Sequence, residues 1–208
     1  RLVLNKPLAR SELRHLQAFF FLFGIGVMCL APRLPDVKAN LGVSTTYFGF
    51  LMSTGSLGAL TSMLTIGHII HRVGVYKVLV ISSTVTYLTI AILIELSSPL
   101  LFMVVNITCG FAWASYHIAI NAQALRRQSE SGRQIIPMLH GLWSAGAVAT
   151  AFIALLISSF VSLNWHILTL VLIVYLLTIN SINASKQVLL KGNEVNESDE
   201  VVTFKTMI

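Results

Sequence analysis

Residues 134–185 read QIIPMLHGLWSAGAVATAFIALLISSFVSLNWHILTLVLIVYLLTINSINAS, 52 consecutive positions without an Asp, Glu, Lys or Arg. A helix that crosses a hydrocarbon layer of about 30 Å needs roughly 17–25 residues. The run therefore holds two crossings, with Ser162-Leu163-Asn164 as the turn between them. The same test applied outward finds charge-free intervals at 15–32, 39–71, 78–94 and 96–125. Six helices are predicted, near 15–34, 46–70, 77–95, 99–124, 135–161 and 165–184. The segments lack the alternating polar pattern of a membrane barrel, and lipid leaves no partner for an unpaired backbone group. The fold class is therefore all-α integral membrane. Composition agrees: 55% of the 208 residues are hydrophobic and 11% charged, with a mean hydropathy of +0.80, outside the range of an ordinary soluble domain.

Charge sets the expected orientation. With the N-terminus in the cytoplasm, twelve of the 14 basic residues fall on that side, and only Arg33 and Lys38 fall on the other. This is the positive-inside bias, and an even number of crossings returns both termini to the cytoplasm. The formal charge of +6 thus reports topology, since its members are spread through short loops; a nucleic-acid partner would need them on one folded face. Residues 1–14 read as a cytoplasmic N-terminus ahead of a retained first helix, 15–185 as the bundle, and 186–208 as a flexible cytoplasmic tail or the start of a central linker.

In lipid, helices associate through small residues that let backbones approach. Gly49 with Ser53, Gly55 with Ala59, and Gly141 with Ala145 and Ala149 recur four apart, so helices 2 and 5 are expected to pack tightly on those faces. Helix 4 carries Asn106, Gly110, Trp113, His117 and Asn121 at steps of four, three, four and four, which puts them on one face. Polar groups inside a span face the protein interior or a watery path. The stripe therefore reads as a cavity lining for a small polar solute, a sugar among the candidates, with His140 of helix 5 as a further contact. The alternative for each residue singly is a helix tie. Trp143 is expected as an interfacial anchor, and Arg33, beyond prolines 32 and 35, is expected to snorkel to the outer interface. His68 and His71 lack a third ligand for a metal. No nucleophile–base pair or phosphate loop marks an enzyme, and no cofactor is implied.

The loop between helices 2 and 3, Gly67-His-Ile-Ile-His71-Arg72-Val-Gly74-Val-Tyr-Lys77, resembles the major facilitator signature G-x-x-x-D-R-x-G-R-[RK]. Gly67, Arg72 and Gly74 match, His71 replaces the Asp, and Lys77 restores a basic charge one position late. His117-Ile-Ala-Ile-Asn121-Ala-Gln123 and Leu139-His140-Gly141-Leu-Trp143-Ser-Ala-Gly146 resemble a bacterial inner-membrane branch near the sugar-porter and fucose-permease-like members, with His117 where that branch has an acid. Prolines 32 and 35 and the residues through Ser44 resemble the same branch.

The resemblance implies the N-terminal six-helix half of a twelve-helix transporter that works by alternating access against a C-terminal six-helix half or a second copy of itself. It implies a latch at His71, weakened by loss of the acid; with Glu95 the one acid inside the expected spans, His117 is the candidate for proton coupling, and facilitated diffusion is the alternative. A truncated or transport-inactive membrane scaffold is the rival expectation.

Overall fold

The computed structural model describes residues 9–189; the acidic tail read as a solvated segment lies outside the described residues. The elements are α1 (Arg10–Met28), α2 (Leu34–Leu41), α3 (Thr45–Ser53), α4 (Gly55–Val73), α5 (Val75–Leu93), α6 (Pro99–Ser131), α7 (Ile136–Ile157) and α8 (Leu163–Ala184). They make six stretches long and apolar enough to cross a membrane: Arg10–Leu41, Thr45–Val73, Val75–Leu93, Pro99–Ser131, Ile136–Ile157 and Leu163–Ala184. Among the described residues there is no strand.

Local chemistry explains the boundaries. Ser44 and Ser162 accept from the backbone N–H of Tyr47 and Trp165, filling donors that a helix start leaves open. The joint between α4 and α5 is one residue, Gly74, at φ 84° and ψ 153°, a region that only glycine occupies without strain. That is a structural reason for one position of the loop motif; Gly67, inside α4, faces open space. Helix α6 runs past its expected end at 124. Its last turns are held by Arg126 and Arg127 on Glu130, one turn along.

The second span is broken at Thr54, which separates α3 from α4. The Leu51 carbonyl there accepts from the Thr54 N–H and hydroxyl, and the carbonyls of Leu51 and Met52 both accept from the Asn106 amide of α6, each at 3.0 Å.

Helix α1 packs on α7 and α8, α6 on α4 and α5, and α5 on α8. Two of these pairings rest on glycine. A Cβ on Gly24 of α1 would lie 2.1 Å from the Trp143 carbonyl oxygen, and one on Gly146 of α7 2.2 Å from that of Phe21. A Cβ on Gly58 of α4 would lie 1.9 Å from the Ile107 carbonyl oxygen, and one on Gly110 of α6 2.0 Å from that of Gly55.

The two sets are copies of each other. Gly24 and Gly110 are 86 positions apart, as are Phe21 and Ile107; Gly55 and Trp143 are 88 apart, as are Gly58 and Gly146. Spans 1–3 and 4–6 are thus one packing unit used twice, and three crossings per unit invert the second copy.

Of the small residues expected to pack tightly, Gly55 does so, its backbone against Gly110; the faces around Gly49 and Gly141 do not. Gly49 and Gly141 meet nothing within 4 Å, and Ser53 and Ala145 are exposed. Spacing shows that small residues share a face, but only the fold decides which face meets a neighbour.

Charged residues close both ends. At the end where α1 begins and α8 finishes, here the basal end, buried Arg127 bridges Glu12 of α1 and Glu130. Ser185, Val188 and Leu189 pack around the same point. At the distal end Arg33 is only 4% exposed. It donates to Asp36 at 2.7 Å and to the Val161 carbonyl at 3.1 Å. The snorkelling expected for Arg33 does not occur, because a carboxylate and an open carbonyl satisfy it inside the protein.

Gly110→Leu should unfold the bundle or lower its melting midpoint in detergent, because backbone contact leaves no room; overpacking costs about 1–3 kcal/mol or more. Gly141→Leu, at an open position, should leave the midpoint of this chain near that of the parent. Equal sensitivity at the two sites would refute the assignment of the packed faces.

Candidate functional site

Where α1, α6 and α7 meet, toward the basal half of the bundle, six rings form a cluster, Tyr116 lying 4.9 Å from Phe23. Trp113 and His117, one turn apart on α6, stack with ring centres 5.9 Å apart and planes 12° apart. Phe23 of α1 stacks with both, 6.2 Å from Trp113 and 5.6 Å from His117. His140 of α7 meets His117 edge-on at 6.3 Å and 87°, and Phe20 meets His140 at 5.4 Å and 76°. The Gly24–Trp143 contact brings α1 and α7 close enough for these rings to touch.

His117 is half-buried and His140 exposed. The site carries two imidazoles and no fixed charge, and each imidazole can donate and accept hydrogen bonds. Asn121, one turn further along α6, donates to the His117 backbone carbonyl at 2.8 Å and is half-buried beside the cluster.

Of the five residues singled out on the sequence, Trp113, His117 and His140 come together, with Asn121 adjoining. Asn106 does not join them. It is buried, and its amide nitrogen is committed to Leu51 and Met52 and lies 3.3 Å from the Thr54 hydroxyl. This is the helix-tie role that had stood as the alternative. Phe20 and Phe23 were not singled out. Three apart on α1 and just before Gly24, they share the face that meets α6 and α7, a signal that existed but was diluted by Phe19 and Phe21. Trp143 is not a free anchor: it is half-buried, its carbonyl abuts Gly24, and its indole N–H is buried without a partner.

The loop motif lies at the basal end, with His71, Arg72 and Lys77 exposed. Tyr76, where the signature has a basic residue, donates to Asn183 of α8 at 2.8 Å. Lys186 sits 5.2 Å over its ring centre. No group of three metal-binding side chains occurs among the described residues.

Trp113 also borders a second space, a cavity of about 450 Å³ in the distal half, walled by α1, α2, α4, α5 and α6 and the end of α3.

Two interlocked three-helix repeats, with a histidine and aromatic face set between them in a membrane-spanning bundle, are the architecture of a multi-pass transporter of the inverted-repeat kind. The chain belongs to the Major Facilitator Superfamily, whose family model matches residues 18–185. It is 26% identical over 174 residues to an uncharacterized MFS-type transporter of Yersinia pestis, covering 84% of this chain and 44% of the relative. It is 29% identical over 138 residues to an uncharacterized transporter of Sinorhizobium fredii, covering 66% of this chain and 37% of the relative. The chain therefore spans less than half the length of these curated relatives. No solved structure matches it. The family is one of transporters, and the chain is placed with them rather than with enzymes.

The ring geometry has a spectroscopic consequence. In a Trp143→Phe, Trp165→Phe background, Trp113 emission should fall as pH is lowered through the histidine range, because a protonated imidazole stacked on an indole withdraws excited-state electron density. His117→Phe should remove that pH dependence; its persistence would separate the two rings.

Proposed function

We propose that the chain is one half of a secondary transporter that moves a small polar solute across the bacterial inner membrane by alternating access. The Trp113–His117–His140 cluster with Asn121 forms its share of the solute site. The observation that carries this reading is the cluster itself. Two imidazoles stand on a face shared by three spans, against aromatic rings, and His140 is left exposed within the bundle. Ionisable groups in a span are costly unless they serve a partner or a path.

The missing wall of the site is supplied by a C-terminal six-helix half or by a second copy. The unfilled small faces around Gly49 and Gly141 suit a closely approaching helix of that partner. They suit a transport-inactive scaffold equally, so transport has to be measured directly. Basic residues such as Arg72, Lys77 and Arg133 at the basal end support a cytoplasmic assignment for it.

His117 is the proposed proton carrier, since imidazole is the side chain best suited to exchange a proton near neutral pH. With the partner half present, His117→Ala should reduce solute uptake by at least about tenfold and flatten its pH dependence. Unchanged uptake with an unchanged pH profile would remove His117 from the mechanism.

The loop latch is the second proposal. An Asp at position 71 would face the basic residues and helix ends of the basal side with a fixed negative charge, which His71 does not supply. His71→Asp should therefore shift the balance toward closure on that side, read as slower thiol labelling of cysteines placed in the basal half of the site. Identical labelling rates in the two forms would exclude the latch.

A further inference from the structure

The repeat offsets give the distal cavity a meaning. Applied to the histidine cluster, the 86-position offset between spans 1 and 4 pairs Phe20 with Asn106, Phe23 with Cys109, Trp113 with Val27 and His117 with Ala31. The 88-position offset between spans 2 and 5 pairs His140 with Met52. All five partners, Asn106, Cys109, Val27, Ala31 and Met52, line the distal cavity. The cavity is thus the inverted counterpart of the cluster, on the other side of the bundle's middle. One copy of the site is filled by rings and imidazoles. The other is lined by small and aliphatic side chains and stands open at about 450 Å³, within the range of pockets that hold small organic ligands.

The chemistry of the open copy is one-sided. Its walls include Leu34, Ile90, Leu93 and Phe102. Of the polar groups that reach it, the Ser56 hydroxyl is spent on the Ser53 carbonyl, and the Asn106 amide nitrogen on the carbonyls of α3. Thr86 and Trp113 border it, but the Thr86 hydroxyl and the Trp113 indole N–H are themselves covered and do not present a polar atom to it. A sugar seated here would leave most of its hydroxyls unpaired, whereas an apolar ring would leave none.

We infer that the solute is amphiphilic: an apolar ring seats in the distal cavity, and its polar end is left outside that apolar lining. This assignment rests on the transport reading above and narrows it from polar solutes in general to those that carry an apolar ring. Trp113 is the shared element, stacked on His117 on one side and bordering the cavity on the other.

The test offers three polar heads to the purified chain in lipid nanodiscs, each with and without a ring: glycerol and 3-phenoxypropane-1,2-diol, acetate and phenylacetate, methylamine and benzylamine. Saturable thermal stabilisation should favour the ring-bearing member of at least one pair by about tenfold or more in apparent affinity, the scale set by burying one ring. Ala59→Leu, which fills the cavity, should cut that preference by about tenfold. Ser56→Leu, at an exposed position of the same wall, serves the same purpose if Ala59→Leu does not fold.

No ring-dependent gain in any pair would overturn the inference, as would a gain that survives both filling variants. The two readings fail separately. Ring-dependent binding without uptake by the assembled carrier defeats transport and leaves the cavity assignment standing. Uptake of the ringless compounds that is indifferent to Ala59→Leu defeats the cavity assignment and leaves transport standing.

Discussion

The structure depends on four places where a backbone carbonyl occupies the space that a Cβ would need. Gly24 and Gly146 bring α1 against α7, and Gly58 and Gly110 bring α4 against α6. In lipid there is no hydrophobic gain from pressing two apolar helices together, so close backbone approach and the packing it allows must hold the pair. These contacts fix the separation and rotation of four of the six spans. Everything built between the helices, including the ring cluster and the distal cavity, inherits its dimensions from them.

The repeat follows from the same contacts. The offsets hold although the residues that supply the carbonyls differ, Trp143 against Gly55 and Phe21 against Ile107. A carbonyl is common to every residue, so the side chains around a glycine contact can change without loss of the contact. That freedom lets one copy of the inter-repeat space carry Trp113, His117 and His140 while the other carries Val27, Ala31 and Met52. A shared scaffold thus gives two chemically unlike faces.

Much of this was legible in the sequence, and what was not has physical causes. The spans and the family could be read because an uncharged run longer than a bilayer leaves few alternatives. The stripe on α6 was legible because helical spacing is fixed, which brought out Trp113, His117 and Asn121 together. Asn106 shares that stripe, but its role is decided by the break at Thr54 in another span, which no local pattern announces. Gly49 and Gly141 had the right spacing on the wrong face, since the rotation of a helix is settled only by its neighbours. Arg33 looked like a surface cation because the Val161 carbonyl that receives it lies 128 positions away. Phe20 and Phe23 were hidden by phenylalanines on either side of them.

The break at Thr54 has a mechanical consequence. A continuous helix bends as one elastic rod, but here the carbonyls at the interruption are shared: Leu51 accepts from Thr54 of its own span and from Asn106 of α6, and Met52 also accepts from Asn106. The short segment α3 is therefore fastened sideways to the opposite repeat at its joint with α4. Since α4 is locked on α6 through Gly58 and Gly110, any bending of the second span falls on α3 and collects at Thr54 rather than along the whole span. The second span is a lever with its pivot pinned to the other repeat.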